Sequence, residues 1–234
     1  MAPRPTMRQI ARWHIWLGWL VGVPILMWTA TGLVMVARPI ETVRGEHLRI
    51  DAPALPLSLA DDTFGAVEGP IREIHARMQD GRAVAVLTMM DGTIRRRDLA
   101  TGASIQPMTA AQARGLVARR IKGGEAAERV TLFTADAVPF DFRREVPVWQ
   151  VALADGTHVY VGRDTGEIEA VRTRWWRLFD LMWGLHIMDL ETREDTSHPI
   201  LILFAALSAI GAALGCVLLF RRRKARPRIP AEPA

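Results

Sequence analysis

Two long stretches without charged side chains lie near the two ends of this chain. Residues 13–37 and Pro199–Phe220 contain no Asp, Glu, Lys or Arg over 25 and 22 positions respectively. A helix needs about 20 apolar residues to cross a hydrocarbon core of about 30 Å, so each stretch predicts a transmembrane helix. The apolar core of a cleaved signal peptide is only about 7–15 residues long. We therefore expect the first stretch to be an uncleaved span, bent at Pro24.

Basic side chains are concentrated outside the segment 38–198. The two terminal segments carry nine Arg or Lys residues against one acidic residue, a net charge of +8, although the whole chain carries only +5. Residues 38–198 therefore carry a net charge of −3. Because Lys and Arg are enriched at the cytoplasmic ends of spans, we expect both termini in the cytoplasm of a bacterium and the middle of the chain in the periplasm. A nucleic-acid-binding domain would carry its basic face on the folded domain itself, so we expect no nucleic-acid partner.

The central segment contains an internal repeat with an offset of 64 residues. Asp91-Gly92-Thr93 is followed ten positions later by Thr101-Gly102, and Asp155-Gly156-Thr157 is followed at the same spacing by Thr165-Gly166. Asp-Gly between alternating apolar residues is a signal for a tight β-hairpin. Each copy is therefore predicted to contain a hairpin and a second turn.

Alternating apolar positions around these turns predict seven strands. They cover residues 71–78, 84–89 and 93–99 in the first copy, and residues 130–133, 146–153, 158–161 and 167–171 in the second. A helix is predicted before each set, at residues 58–67 and 109–121, and Gly123-Gly124 marks the end of the second helix. The predicted fold class is α+β, with two tandem units, each a helix packed on a small antiparallel meander, anchored by two transmembrane α-helices.

The chain is thus predicted to have six segments. They are a cytoplasmic tail (1–12), a first span (13–37), a periplasmic domain (38–173), an interfacial amphipathic helix with an acidic link (174–197), a second span (198–220) and a basic cytoplasmic tail (221–234). Glycines spaced four apart, Gly18 with Gly22 and Gly211 with Gly215, let helix backbones approach closely in lipid. We expect both pairs to mediate packing between the chain's own two spans rather than a dedicated dimer contact.

Three motifs in the second copy resemble a PepSY domain. They are Pro147-Val148-Trp149-Gln150-Val151, Asp155-Gly156-Thr157-His158-Val159-Tyr160-Val161 and Asp164-Thr165-Gly166-Glu167-Ile168. The flanks resemble PepSY-associated transmembrane helices, through residues 12–18, Thr31-Gly32-Leu33 and Trp183-Gly184-Leu185-His186. The resemblance covers nearly the whole chain. It implies a relationship to a family whose larger members, with four or more spans, include ferric-siderophore reductases that hold haem between helices.

The histidines are the candidates for chemistry, because the sequence contains no signature of a protease, a phosphoryl-transfer enzyme or an acyl-transfer enzyme. His14 begins the first span, and Gly18 and Gly22 follow it on the same predicted helical face. This strip without side chains would let a flat macrocycle lie beside a histidine, which is a usual axial ligand of haem. The alternative is an interfacial belt in which His14 lies among tryptophans.

Two further histidines belong to the predicted outer leaflet. His186 lies on an apolar stripe of the amphipathic segment, and His198 directly precedes the second span. Since a span of 22 residues is about 33 Å long, His14 and His198 cannot ligate one haem b, whereas His186 and His198 could share one. His14 would then need a ligand from a partner chain. The alternatives are an interfacial helix for His186 and an ordinary helix-start position for His198.

The acidic link adds a rival hypothesis of a metal site. Imidazole and carboxylate groups suit a divalent transition metal or ferric iron, and here they come from His186, His198, Asp189, Glu191, Glu194 and Asp195. The alternative is a solvated loop whose carboxylates offset the charges of nearby arginines.

Two functions are compatible with these observations. The first is an inner-membrane electron-transfer module that binds haem b and assists periplasmic ferric reduction, as a homodimer or within a larger membrane redox complex. The second, implied by the same resemblance, is a membrane-anchored binding module that restrains a peptidase or docks a partner. The sequence contains no flavin- or nicotinamide-binding motif, so electrons would come from another protein, and it leaves open whether the chain is itself an enzyme.

Overall fold

The computed structural model describes residues 6–55 and 67–224, and the chain divides into two compact units. The helical unit comprises Met1–Arg38 and Leu178–Ala234, and the sheet unit comprises Pro39–Arg177. The helices are α1 (Met7–Val36), α2 (Ile40–Val43), α3 (Ala110–Arg120), α4 (Arg174–Ile187) and α5 (Pro199–Lys224). The sheet unit therefore ends within α4, four residues beyond the predicted boundary at residue 173.

Helices α1 and α5 are each long and apolar enough to cross a membrane. Helix α1 begins earlier than the predicted span because Thr6 and Gln9 form a capping box, in which each side chain bonds the backbone N–H of the other residue. Pro199 is the first residue of α5, where a missing N–H is not needed. The carbonyl of His198 accepts the N–H of Ile202, so His198 lies at the helix start as predicted.

The two glycine pairs behave differently where α1 packs on α5. A Cβ atom at Gly211 would lie 3.9 Å from Leu17, and one at Gly215 would lie 3.0 Å from His14, so this pair faces α1. By contrast, a Cβ atom at Gly18 or Gly22 would meet no described atom within 4 Å. The expectation that both pairs mediate this packing is therefore right for α5 and wrong for α1.

The helical repeat explains this difference. With 3.6 residues in a turn, positions 10, 14, 17 and 21 form one stripe along α1, and Ile10 and Val21 on this stripe are buried. Gly18 and Gly22 lie progressively further round the helix. The backbones of α1 and α5 can therefore approach closely with glycines on α5 only. The stripe of α1 that faces them carries larger side chains, and these fill the space that the glycines leave.

The sheet unit contains two antiparallel meanders of four strands each. The first comprises β1 (Ile71–Gln79), β2 (Arg82–Met89), β3 (Ile94–Asp98) and β4 (Ser104–Ile105), and the second comprises β5 (Ala127–Phe133), β6 (Val148–Leu153), β7 (His158–Gly162) and β8 (Ile168–Arg172). All seven predicted strands are present, and β4 is an additional short strand. The predicted helix at 58–67 lies outside the described residues except for Val67.

The predicted repeat is confirmed at its turns. Gly92 and Gly156 have φ values of +85° and +81°, and their N–H groups bond to Met89 and Leu153, which are also 64 positions apart. In both turns the aspartate before the glycine accepts the N–H of the following threonine. Gly102 and Gly166 likewise match, with φ values of +68° and +67°.

The two meanders differ in their first connection. Strands β1 and β5 carry the same irregularity, after Ile71 and after Ala127, but these residues are 56 rather than 64 positions apart. The β5–β6 connection has 14 residues, 12 more than the two-residue turn between β1 and β2. This longer loop, residues 134–147, is specific to the second copy.

Helix α3 covers the second sheet as predicted. Thr109 and Gln112 form its capping box, and Gly123, at φ +78°, follows its end. Its buried residues Leu116 and Val117 belong to one apolar cluster with Val151, Val159 and Val161 of the sheet. A separate cluster of Ala85, Leu87, Met89 and Leu99 forms on the first sheet.

Candidate functional site

His14 of α1 is bonded to α5 through one ring nitrogen. Its Nδ1 lies 3.0 Å from the carbonyl oxygen of Gly211. A carbonyl oxygen can only accept, so Nδ1 carries the hydrogen and Nε2 of the neutral ring carries the lone pair. The absence of a side chain at Gly215 leaves room for the ring, since a Cβ atom there would lie 3.5 Å from Nε2.

His186 of α4 is held against α1 in the same tautomeric form. Its Nδ1 lies 3.0 Å from the hydroxyl oxygen of Thr31, which also lies 2.8 Å from the carbonyl oxygen of Met27. The hydroxyl has one hydrogen, which it donates to a carbonyl, so its oxygen accepts the Nδ1–H of His186. The Nε2 lone pair is again left for another partner. The indole of Trp28 donates to the backbone carbonyl of His186 at 2.7 Å, which fixes the chain at this position.

His14 belongs to α1, and His186 contacts the same helix at a well-separated level. His14 and Thr31 are 17 positions apart on one helix, which corresponds to about 25 Å at 1.5 Å per residue. A bond from a metal to an imidazole nitrogen is only about 2 Å long. His14 and His186 of one chain therefore cannot bind the same iron, and each would belong to a separate site.

His198 has an unsatisfied ring nitrogen at the start of α5. Its Nδ1 is buried and has no hydrogen-bond partner in the described part of the chain. A buried polar atom without a partner costs roughly 1–3 kcal/mol. Nδ1 of His198 is therefore a ring nitrogen whose hydrogen-bonding capacity the described residues do not use.

The acidic link is a folded loop organised around Asp189. Asp189 is only 7% exposed, and its carboxylate accepts the backbone N–H groups of Glu191, Thr192, Glu194 and Asp195. The Thr192 hydroxyl and these N–H groups hold the pKa of Asp189 well below its ordinary value. The interpretation of a solvated loop is therefore wrong for Asp189.

A buried ion pair joins this loop to α4. Arg193 donates to the carboxylate of Asp180 at 2.5 Å, and Asp180 is only 5% exposed. Trp183 donates its indole N–H to the carbonyl of Arg193, and Gly184 makes room for the arginine, since a Cβ atom there would lie 2.8 Å from Arg193 Cγ. No local pattern predicted this pair, because Arg193 lies 13 positions after Asp180 and reaches it only when the loop folds back on α4.

The metal hypothesis gains no geometric support. Within residues 6–55 and 67–220, no three His, Cys, Asp or Glu side chains are grouped closely enough to hold a metal ion. Both carboxylate oxygens of Asp189 already accept several hydrogen bonds within the loop. The predicted ligand set, His186, His198, Asp189, Glu194 and Asp195, stays a prediction.

The residues on which the PepSY resemblance depends have structural roles. Tyr160 is completely buried, donates to Asp141 at 2.5 Å and accepts a hydrogen bond from Gln150 at 2.7 Å. Burial and the carboxylate of Asp141 raise the pKa of Tyr160. Trp149 donates its indole N–H to the carbonyl of Met108, which ties the sheet to the start of α3.

Neither a family model, nor a curated protein, nor a solved structure matches this chain. Three features of the described residues bear on the chemistry of the site: the Nδ1 contacts of His14 and His186, the unsatisfied nitrogen of His198, and the open surface of α1 at Gly18 and Gly22.

Proposed function

We propose that this protein is a membrane-anchored electron-transfer module of the PepSY type that binds haem b and assists ferric reduction on the periplasmic side. One observation carries the proposal: Nδ1 of His14 and Nδ1 of His186 each lie 3.0 Å from an oxygen that can accept a hydrogen, which leaves Nε2 of both rings for a ligand. Metal-ligating histidines almost always use their other ring nitrogen in this way. Histidine is also a common axial ligand of haem iron.

The surrounding residues fit such a group. The carbonyl of Gly211 and the hydroxyl of Thr31 fix the ring orientations and raise the basicity of each Nε2. Gly18 and Gly22 leave an open surface on the helix that carries His14. When bound, haem would supply one-electron exchange between ferric and ferrous iron.

The two proposed sites differ in where the second ligand would come from. In the outer site, His186 would be joined by His198, whose Nδ1 is unsatisfied. In the inner site, a second ligand for His14 would come from another chain, since His186 contacts α1 about 25 Å away. A homodimer with four spans would supply it.

The alternative is a membrane-anchored module that docks a peptidase or another partner without a redox role. Strand β1 favours this alternative, because it forms an edge of the first sheet and its residues 72–77 are exposed. An edge strand can accept an extended segment of another protein through backbone hydrogen bonds.

The absorption spectrum of the full chain, purified from cells supplied with ample haem, separates the two functions. We expect a Soret band that loses one component in His14→Ala and a different component in His186→Ala. The matched control is His75→Ala, because His75 is an exposed residue of the sheet unit. A preparation without a Soret band, or a band that neither substitution changes, would leave the docking function as the better account.

A further inference from the structure

The loop that is specific to the second repeat is fixed to the sheet at its centre. Phe142 is buried and stacks on Tyr160 with ring centroids 4.8 Å apart. The carboxylate of Asp141 accepts a hydrogen bond from the Tyr160 hydroxyl, and the backbone carbonyl of Asp141 accepts one from Nε of Arg172 at 2.6 Å. The loop is thus held in place, although the neighbouring Phe140 remains 48% exposed.

Arginine and aromatic side chains alternate on the surface beside this loop. The guanidinium of Arg143 lies 4.8 Å from the ring centre of Phe140 and 5.8 Å from that of Trp176. The guanidinium of Arg172 lies 4.0 Å from the Trp176 ring. Stacking on aromatic faces orients a guanidinium, whose planar fork of N–H groups matches the oxygens of a phosphate.

The backbone at Arg143 supports the view that this arrangement is specifically maintained. Its φ is +64°, in the left-handed region that residues with a side chain rarely adopt. Such a conformation persists only where the surrounding structure sustains it, and it is most often found at functional sites.

The same surface continues into a cleft of about 790 Å³. Arg172 and Trp176 line it together with Arg44 and Arg49, and its acidic lining residues are Glu46, Asp51 and Glu169. Glu169 is already engaged, because it forms an ion pair with Arg144 and accepts the hydroxyl of Thr165. With Arg143, four arginine charges therefore lie at this surface against three carboxylates, one of which is shared with Arg144, so positive charge is in excess and favours an anion.

Both chain ends of the sheet unit contribute to this surface. Trp176 is the penultimate residue of the unit, and Arg44 is the sixth. At these ends the chain continues into the helical unit, which holds both candidate spans. Tryptophan and arginine are also the residues that anchor proteins at the headgroup level of a bilayer.

We propose that this surface, formed by Arg44, Phe140, Arg143, Arg172 and Trp176, binds the phosphate of anionic phospholipid headgroups. The arginines supply the charge-assisted hydrogen bonds, and the exposed Phe140 supplies an apolar group that a bilayer interface accommodates and a free anion would not need. The proposal does not depend on haem.

The test is a titration of the detergent-solubilised full chain with short-chain phosphatidylglycerol, followed by tryptophan fluorescence or native mass spectrometry. We expect tighter binding than for short-chain phosphatidylcholine. Because glutamine cannot form the charge-assisted hydrogen bonds of the guanidinium, Arg143→Gln should weaken binding roughly tenfold. Arg172→Gln should do the same, but Arg172 also bonds the loop backbone, so Arg143→Gln is the decisive variant.

Arg82→Gln provides the matched control, because Arg82 is an exposed residue of β2 with the same charge. It should bind phosphatidylglycerol as the unsubstituted protein does, and Phe140→Ala should bind more weakly. Equal affinity for the two lipids, an equal loss in Arg82→Gln, or complete competition by inorganic phosphate would each overturn the proposal.

Discussion

The imidazole of His186 and the hydroxyl of Thr31 lie 3.0 Å apart, although 155 positions separate them in the chain. This contact, with the bond from Trp28 to the His186 carbonyl, holds the end of α4 against α1. It also determines which nitrogen of His186 is available to a ligand.

Replacing Thr31 by valine should destabilise the helical unit and release His186. The substitution keeps the side-chain shape but removes the acceptor of a part-buried N–H, which costs roughly 1–3 kcal/mol. Thermal denaturation in detergent would measure this loss, and any haem component that depends on His186 should shift with it. Thr29→Val is the matched control, since Thr29 is exposed and bonds only the carbonyl of Ile25 among the described residues. Equal losses in both variants would contradict the role assigned to Thr31.

Valine at Gly215 should disrupt the helix pair, whereas valine at Gly18 should not. Added atoms at Gly215 would press on His14, which a Cβ atom would already approach to 3.0 Å, but Gly18 has open space around it. We expect Gly215→Val to lower the thermal midpoint and to remove any haem component that depends on His14. If Gly18→Val removes that component without lowering the midpoint, the open strip contacts the ligand. If Gly18→Val destabilises the protein as much as Gly215→Val, the packing described here is wrong.

Stability should fall at both acid and alkaline pH because of the Asp141–Tyr160 pair. Burial alone would raise the pKa of Asp141, but hydrogen bonds from His158 and Tyr160 lower it on balance. The folded state therefore loses stability as the pH falls below about 3.9, the ordinary pKa of an aspartate. Burial raises the pKa of Tyr160, so the unfolded chain ionises first and stability also falls as the pH rises above about 10.

Tyr160→Phe isolates the alkaline effect of this pair. The variant should lose roughly 1–3 kcal/mol at neutral pH, because Asp141 and Gln150 lose a buried partner. Its stability should then depend less on pH above 10 than that of the unsubstituted protein. Denaturant titrations at several pH values would measure both effects, and an unchanged alkaline slope would refute the assignment to Tyr160.

The basic tails predict that the sheet unit lies outside the cytoplasm. A reporter that is active only in the periplasm should therefore work when inserted at Gly92, an exposed turn with no described atom within 4 Å of an added Cβ. The same reporter fused after Ala234 should be inactive. Activity in the reverse pattern would place the sheet unit in the cytoplasm and exclude a periplasmic function.

The sequence alone was sufficient for the features that depend on local patterns. The absence of charge over 25 and 22 residues predicted α1 and α5, and apolar alternation predicted seven of the eight described strands. The repeated Asp-Gly and Thr-Gly pairs predicted turns that proved to match in φ and in hydrogen bonding, because these turns require a residue that tolerates positive φ.

Only the tertiary structure decided which residues meet across the chain. In the sequence, the pair Gly18 and Gly22 has the same spacing as the pair Gly211 and Gly215. The orientation of α1 against α5 places Gly211 and Gly215 in the contact and leaves Gly18 and Gly22 outside it. The Nδ1 partners of His14 and His186 come from segments 197 and 155 positions away, so neither tautomer could be derived from local spacing. The burial of Asp180 and Asp189 has the same cause, since a charge is buried only where distant or folded-back groups satisfy it.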